Sequence, residues 1–168
     1  GPAMAAVDWV IVTITGKGGH GAMPHEAVDP IVAASSLIMA LQSIVARNVD
    51  PRETAVITVG MIHGGTMPTT IPDSVELQIS VRSFTAAVRD RIRQRIKLLA
   101  EAQAQSFGAV AVVNHPPGFP PLYNHPDETA FARQVAVRHF GAERVGTLPP
   151  LLVSEDFAFM LQKQRGSY

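Results

Sequence analysis

The sequence predicts an α+β fold of the split β-α-β-β-α-β, ferredoxin-like kind, with two helices on one face of a four-stranded antiparallel sheet. Three observations carry that expectation. Val75, Leu77, Ile79 and Val81 alternate strictly with Glu76, Gln78, Ser80 and Arg82. Period two with one wet face means an antiparallel sheet covered on one side only. Two stretches, after Asp29 and after Thr85, repeat apolar residues at helical spacing, and strand-like runs flank both.

The first strand spans Asp8 to Lys17, with Val10, Val12 and Ile14 on one face and Ile11, Thr13 and Thr15 on the other. It runs into Gly16-Lys17-Gly18-Gly19-His20-Gly21. Four glycines so close together require either positive φ or near contact of the backbone with another group. On spacing alone, His20 is equally an exposed turn histidine or an imidazole offered to a ligand as a hydrogen-bond donor.

Asp29 can cap a helix with Pro30 at its first position, and Ile31, Ala34, Ile38, Leu41 and Val45 form the stripe expected to face the sheet. Asn48 and Pro51 end it. A second strand, Thr54 to Ile62, is broken by His63-Gly64-Gly65, and the alternating strand follows. Thr85 caps a second helix that should bury Val88, Ile92, Ile96 and Leu99. Arg89, Arg91, Arg93, Arg95 and Lys97 crowd this helix and read as a solvated face. Gly108 ends it, and Ala109 to Val113 is the fourth strand.

Pro116-Pro117-Gly118-Phe119-Pro120-Pro121 is stiff and poor in donors, as suits a crossing between domains. The expected division is a first domain over 1–118 and a second portion over 119–168. The latter holds a helix from Asp127 to Phe140, with Phe131 and Val135 inward and Gly141 at its end, then a short apolar run from Val145 to Val153. A last helix could open at Ser154 as cap, and so few residues cannot build a stable core alone.

Of the 168 residues, 46% are hydrophobic and 17% charged, which fits a packed globular chain. Fourteen basic and fourteen acidic residues give zero formal charge, so nothing favours nucleic acid or an anionic membrane. The wet face of the alternating strand shows Glu76, Gln78 and Ser80 and no aromatic to stack a base. There is no cysteine, which excludes disulfides and thiolate metal sites. No apolar run approaches the ~20 residues of a membrane span. A cytoplasmic location is the expectation.

Gly16-Lys17-Gly18-Gly19-His20-Gly21-Ala22-Met23-Pro24-His25 resembles the signature of metal-dependent amidohydrolases that include aminoacylases, hippurate hydrolases and indole-acetyl-amino-acid hydrolases. Ile71-Pro72-Asp73-Ser74-Val75-Glu76-Leu77, Val81-Arg82-Ser83-Phe84 and Ser154-Glu155-Asp156-Phe157-Ala158-Phe159 agree with it in order and spacing. The resemblance implies that residues 1–118 are a lid and dimerisation domain, and 119–168 part of an α/β metallohydrolase catalytic domain. It implies a homodimer through the lid, and a parent enzyme that hydrolyses small N-acyl or N-aroyl amino acids. There a divalent metal pair (zinc, manganese, cobalt or nickel) would activate a water, and a glutamate upstream of these residues would take its proton. The metal ligands would lie outside the chain, so no metal is expected to bind this fragment, and it should be inactive alone.

By the same resemblance, His20 reaches the neighbouring subunit's active site and donates a hydrogen bond to the oxyanion. Arg82 grips the substrate carboxylate. Ser154 and Glu155 flank the pocket. Thr69 stands where relatives often carry an asparagine, and a hydroxyl offers fewer hydrogen bonds than an amide, which suggests altered specificity. His25 is expected to brace the loop, His63 to sit in an ordinary turn, and His115, His125 and His139 to be structural or surface residues without metal-ligand spacing. Two alternatives are a dipeptidase or carboxypeptidase of the same family and a non-catalytic ferredoxin-like interaction module.

Overall fold

The structure, a computed structural model, describes residues 1–168. In chain order its strands and α-helices are β1 (Pro2–Met4), β2 (Ala6–Thr15), β3 (Gly19–His20), α1 (Pro30–Asn48), β4 (Ala55–Gly64), β5 (Thr70–Ile71), β6 (Ser74–Ser83), α2 (Ala86–Ser106), β7 (Val110–Asn114), β8 (Leu122–Tyr123), α3 (Pro126–Phe140) and α4 (Phe157–Leu161). The main sheet has the order β4-β6-β2-β7, antiparallel throughout. With α1 and α2 as the connections, this is the β-α-β-β-α-β arrangement that the alternation predicts.

The centre of the sheet is one unbroken ladder from Ala6↔Ser83 to Thr15↔Ser74. Side chains on a strand alternate between faces, so Val10, Val12 and Ile14 meet Val75, Leu77, Ile79 and Val81 on one side. All seven are at most 2% exposed beneath the helices. Burying each such side chain is worth about 2 kcal/mol, and together they make this face the core.

Both helices begin as expected. Asp29 Oδ1 accepts from the amides of Ile31 (2.8 Å) and Val32 (3.4 Å), and Thr85 Oγ1 accepts from that of Val88 (3.3 Å). The phase of α1 differs from the expected stripe. Ala33, Ala34, Leu37, Leu41 and Ile44 are buried, Ile38 and Val45 lie at the margin, and Ile31 is exposed. Counting large residues missed Ala33, which is buried beside Ala34 near the helix start. On α2, Val88, Ile92 and Ile96 are buried as expected, joined by Ala100 and Ala104, while Leu99 is marginal. By length and composition α1 could cross a membrane, contrary to the expectation from apolar run length, but its buried side packs on the sheet.

The solvated-face reading of α2 fails for most of its cations. Asp8 lies on the helix-covered side of β2 and is 1% exposed. Arg89 chelates its carboxylate through Nε and Nη2, each at 2.6 Å, and Arg93 Nη2 adds a third donor. Arg91 and Arg95 reach the carbonyl and side chain of Asn48 at the end of α1. Arg91, despite that contact, and Lys97, opposite Glu101, keep to the surface. Burial raises the Asp8 carboxyl, but the hydrogen bonds and charges of Arg89 and Arg93 outweigh it and hold the group below the usual carboxylate range. Nothing in composition shows this, because neutrality of the whole chain is silent on where one carboxylate is buried.

The proline-rich crossing is docked on β2. Phe119 exchanges both backbone hydrogen bonds with Val7, at 2.9 and 3.1 Å. A Cβ on Gly118 would stand 2.0 Å from the Val7 carbonyl oxygen, so only glycine permits this approach. Beyond it, β8 pairs with β1, Met4 bridges Leu151, and Leu122, Ala158 and Leu161 form a small second core with Ala3, Met4 and Phe157. The first few residues therefore pack with the last fifty. Two expectations are corrected here. Phe131 and Val135 on α3 are 68% and 49% exposed, because no other element lies over that face. The last helix starts at Phe157, not Ser154, and has no side-chain cap.

The buried ion network gives two predictions. Asp8→Ala leaves two guanidinium groups facing an emptied site and should cost about 3 kcal/mol in denaturant unfolding. His115 is held below its usual 6.5 by burial first and by the nearby Arg93 charge second, with Asp8 opposing and Lys97 adding slightly. The unfolded chain therefore binds more protons than the folded one below pH 6.5. Stability present above that pH should be lost as the pH falls, and His115→Gln should flatten the slope of Tm against pH over that range.

Candidate functional site

The glycine loop is held by backbone contacts along its length. Lys17 and Val28 exchange hydrogen bonds at 2.9 Å, β3 pairs with β5 through Gly19↔Ile71 and His20↔Thr70, and the Gly21 amide donates to Thr69 O at 2.8 Å. Asp73 contributes twice, its carbonyl accepting from the Gly16 amide and its Oδ1 from the Gly18 amide, both at 2.9 Å. None of these four glycines has a positive φ. They are needed for proximity: a Cβ on Gly16 would lie 2.1 Å from Val28 O, and one on Gly21 would lie 2.9 Å from Thr69 O.

This scaffold presents His20 at the surface. Its Nδ1 accepts from the Ala22 amide at 3.1 Å, which places the ring proton on Nε2. Nε2 has no partner in the chain and is an outward-facing donor. Both readings of the motif, an exposed turn histidine and an imidazole offered to a ligand, have this exposure. Thr69 is exposed beside it, held through its carbonyl while its hydroxyl makes no hydrogen bond. A cleft of about 570 Å³ adjoins them, lined in part by Gly21, Thr66, Met67 and Pro68.

Arg82 stands elsewhere. It lies on the open face of β6 with Nη1 donating to Ser154 Oγ at 3.1 Å. No carboxylate pairs with it, so the surface salt bridge is absent and most of the guanidinium's five donors stay free. Ser154 therefore serves Arg82 and does not cap a helix. Glu155 Oε1 accepts from the Asp156 amide at 3.1 Å, and its Oε2 accepts from the Tyr168 hydroxyl at 3.4 Å. Close by, Trp9 meets Phe119 edge to face at 5.9 Å, and Phe119 meets Phe159 at 6.0 Å, tying the main sheet to α4.

The five candidate residues thus form two groups. His20 and Thr69 sit at the end where β6 begins, and Arg82, Ser154 and Glu155 where it ends. Asp73 and Arg82 are nine residues apart along an extended strand, about 30 Å at ~3.3 Å per residue. One copy of the chain cannot bring His20 and Arg82 to the same small ligand.

No three His, Asp or Glu side chains gather where a metal ion could sit, so the residues present do not fit a metal pair. His125 and Asp127 do have His-x-Asp spacing, against the expectation. However, His125 Nδ1 accepts from the Gly166 amide at 3.2 Å, and Asp127 pairs with Arg165 at 2.9 Å. His25 braces nothing; it is exposed, 3.9 Å from Glu26. His63 lies within β4 opposite Glu76, and the turn follows at Gly65, whose φ is +78°. His139 stacks edge to face on Phe140.

Comparison with known proteins gives the family of the chain. A family model described as the M20 peptidase dimerisation domain matches residues 6–107. The chain is 43% identical over 168 residues to the N-acetyl-L-cysteine deacetylase of Bacillus subtilis (strain 168), covering 100% of itself and 40% of that protein. It is 36% identical over 169 residues to the hippurate hydrolase of Campylobacter jejuni, covering 100% of itself and 44% of that protein. Among solved structures, a dinuclear metal-binding peptidase of the M20 family from Bacillus subtilis has a TM-score of 0.78 at 28% identity, over 99% of this chain and 40% of that one. The chain spans 40% to 44% of the length of these curated relatives. With more than half of its residues inside the family match, the chain belongs to the M20 peptidase dimerisation domain family.

Proposed function

We propose that the chain is the lid and dimerisation part of a metal-dependent amidohydrolase acting on N-acyl or N-aroyl amino acids, with residues 1–118 as lid except for the first few, which go with 119–168 as part of the catalytic domain. One observation carries this reading. The exposed His20 Nε2–H and the half-buried guanidinium of Arg82, which keeps donors beyond the one given to Ser154, lie at opposite ends of β6. Two copies related by a twofold axis can bring one group from each to a single substrate.

In this reading Arg82 binds the substrate carboxylate bidentately and Ser154 holds its guanidinium in place. His20 of the neighbouring subunit donates from Nε2 to the oxygen on which charge builds as the amide carbonyl is attacked. Thr69, beside His20, touches the acyl side of the substrate. The residues present do not fit a metal pair. The chain's part is therefore limited to orienting the substrate and stabilising charge, and the chain alone is expected to hydrolyse nothing. The relatives named above are a deacetylase and a hippurate hydrolase, which supports an acyl amino acid and leaves the acyl group to experiment.

The twofold contact is supported by β4, a free sheet edge. Along it and α1, Ile31, Val32, Met39, Met61 and Ile62 are exposed. A homodimer would cover them. Sedimentation of the 168-residue chain should show a dimer, and Met39→Glu with Ile62→Lys should give a folded monomer. The catalytic reading is tested in the full-length protein containing this chain, on hippurate and N-acetyl amino acids with divalent metal. His20→Ala should lower kcat about 10²–10³-fold with metal content unchanged. Arg82→Lys should raise KM about tenfold with a smaller effect on kcat. Unchanged turnover in His20→Ala would remove the oxyanion role from His20, and no turnover in the unsubstituted protein would favour the interaction-module reading.

A further inference from the structure

We propose that Asp73 is a positioning residue that fixes the orientation of the His20 imidazole. The inference rests on the reading of His20 as a donor only for its functional meaning; the contact itself stands on geometry. His20 lies on β3, a strand of two residues whose partner β5 is equally short. A ladder of two rungs does not hold itself together in water. Its order comes from ties on either side. The Gly16 and Gly18 amides donate to Asp73, and the Gly21 amide donates to Thr69 O.

From Gly16 to Gly21, the Asp73 carboxylate is the one acceptor that another residue's side chain supplies; the other ties are backbone to backbone. It is thus the tie that a substitution can cut. The carboxylate sits so close that a Cβ on Gly18 would be 2.8 Å from Oδ1 and 3.0 Å from Ile71 O. The absent side chain at Gly18 and the acidic side chain at Asp73 therefore form one device. Asp73 immediately precedes β6, one of the two inner strands, so the loop is tied to the middle of the sheet. Two residues beyond Gly18, the His20 Nδ1 accepts from the Ala22 amide and keeps the proton on Nε2. Loss of the Gly18 tie lets this turn move, and the ring then exchanges between tautomers.

The test is nitrogen-15 NMR of the 168-residue chain, with Asp73→Ala and Asp73→Asn compared to the unsubstituted protein. The asparagine carbonyl can still accept from Gly18, so it separates the hydrogen bond from the charge. In the unsubstituted chain the Gly18 amide should be protected from exchange, and the His20 ring nitrogens should show the Nε2–H tautomer. Asp73→Ala should speed Gly18 exchange about tenfold and average the ring nitrogens, while the amides of β2 and β6 stay protected. Asp73→Asn should restore both. Rapid Gly18 exchange in the unsubstituted chain would overturn the proposal, whatever the variants do. So would a fixed tautomer in Asp73→Ala, or equal loss in both variants. These readouts need no turnover. If His20→Ala in the full-length protein leaves hydrolysis intact, the oxyanion role of His20 falls and the Asp73 tie does not.

Discussion

The antiparallel ladder between β2 and β6 is the constraint on which the rest depends. It is extended, central and buried on one face, so it acts as a spacer of about 30 Å between its two ends. The glycine loop leaves from one end of β2 and is tied back to the residue before β6. Arg82 stands near the far end of β6 and touches the C-terminal segment through Ser154. In the proposed reading the chain presents one half-site at each end, and a twofold partner supplies the complement. Dimerisation and chemistry are then one requirement of that proposal.

What keeps the spacer rigid is the packing of α1 and α2 on one side, together with the charged cluster at its edge. Asp8 holds two arginines of α2, and two further arginines of that helix grip the end of α1 at Asn48. Breaking such a cluster from one side is far costlier than never building it, because a charge is left without its partner. The open face of the sheet is held differently, by the Phe119 backbone on Val7 and the run of edge-to-face aromatics from Trp9 to Phe159.

Most of the fold was legible because it rests on local periodicity. The alternation from Val75 to Arg82 and the caps at Asp29 and Thr85 report local geometry, and each stands as read. What was not legible depends on contacts distant in sequence. Asp8 and Arg89 are 81 positions apart, and no pattern in either segment pairs them. Size and spacing put Ile31 in the core, while the small Ala33 is what is buried there. Phe131 and Val135 look inward-facing by periodicity, yet no other element of the chain covers them. The motifs name His20, Thr69, Arg82, Ser154 and Glu155 as candidates. They are silent on the division of these residues into two groups, since the length of β6 separates them in space. Asp73 was visible within its motif but had no role, because its partner is a glycine amide 55 residues away.

The claim that one site draws His20 and Arg82 from different subunits is open to subunit complementation. Full-length His20→Ala and Arg82→Ala proteins are each assayed alone, then dissociated, mixed and reassociated. If the groups act across the twofold axis, each mixed dimer contains one intact site, and about a quarter of the unsubstituted activity should return from two weakly active parents. If both groups act within one subunit, every site in the mixture carries a defect and no activity returns. That result would contradict the account.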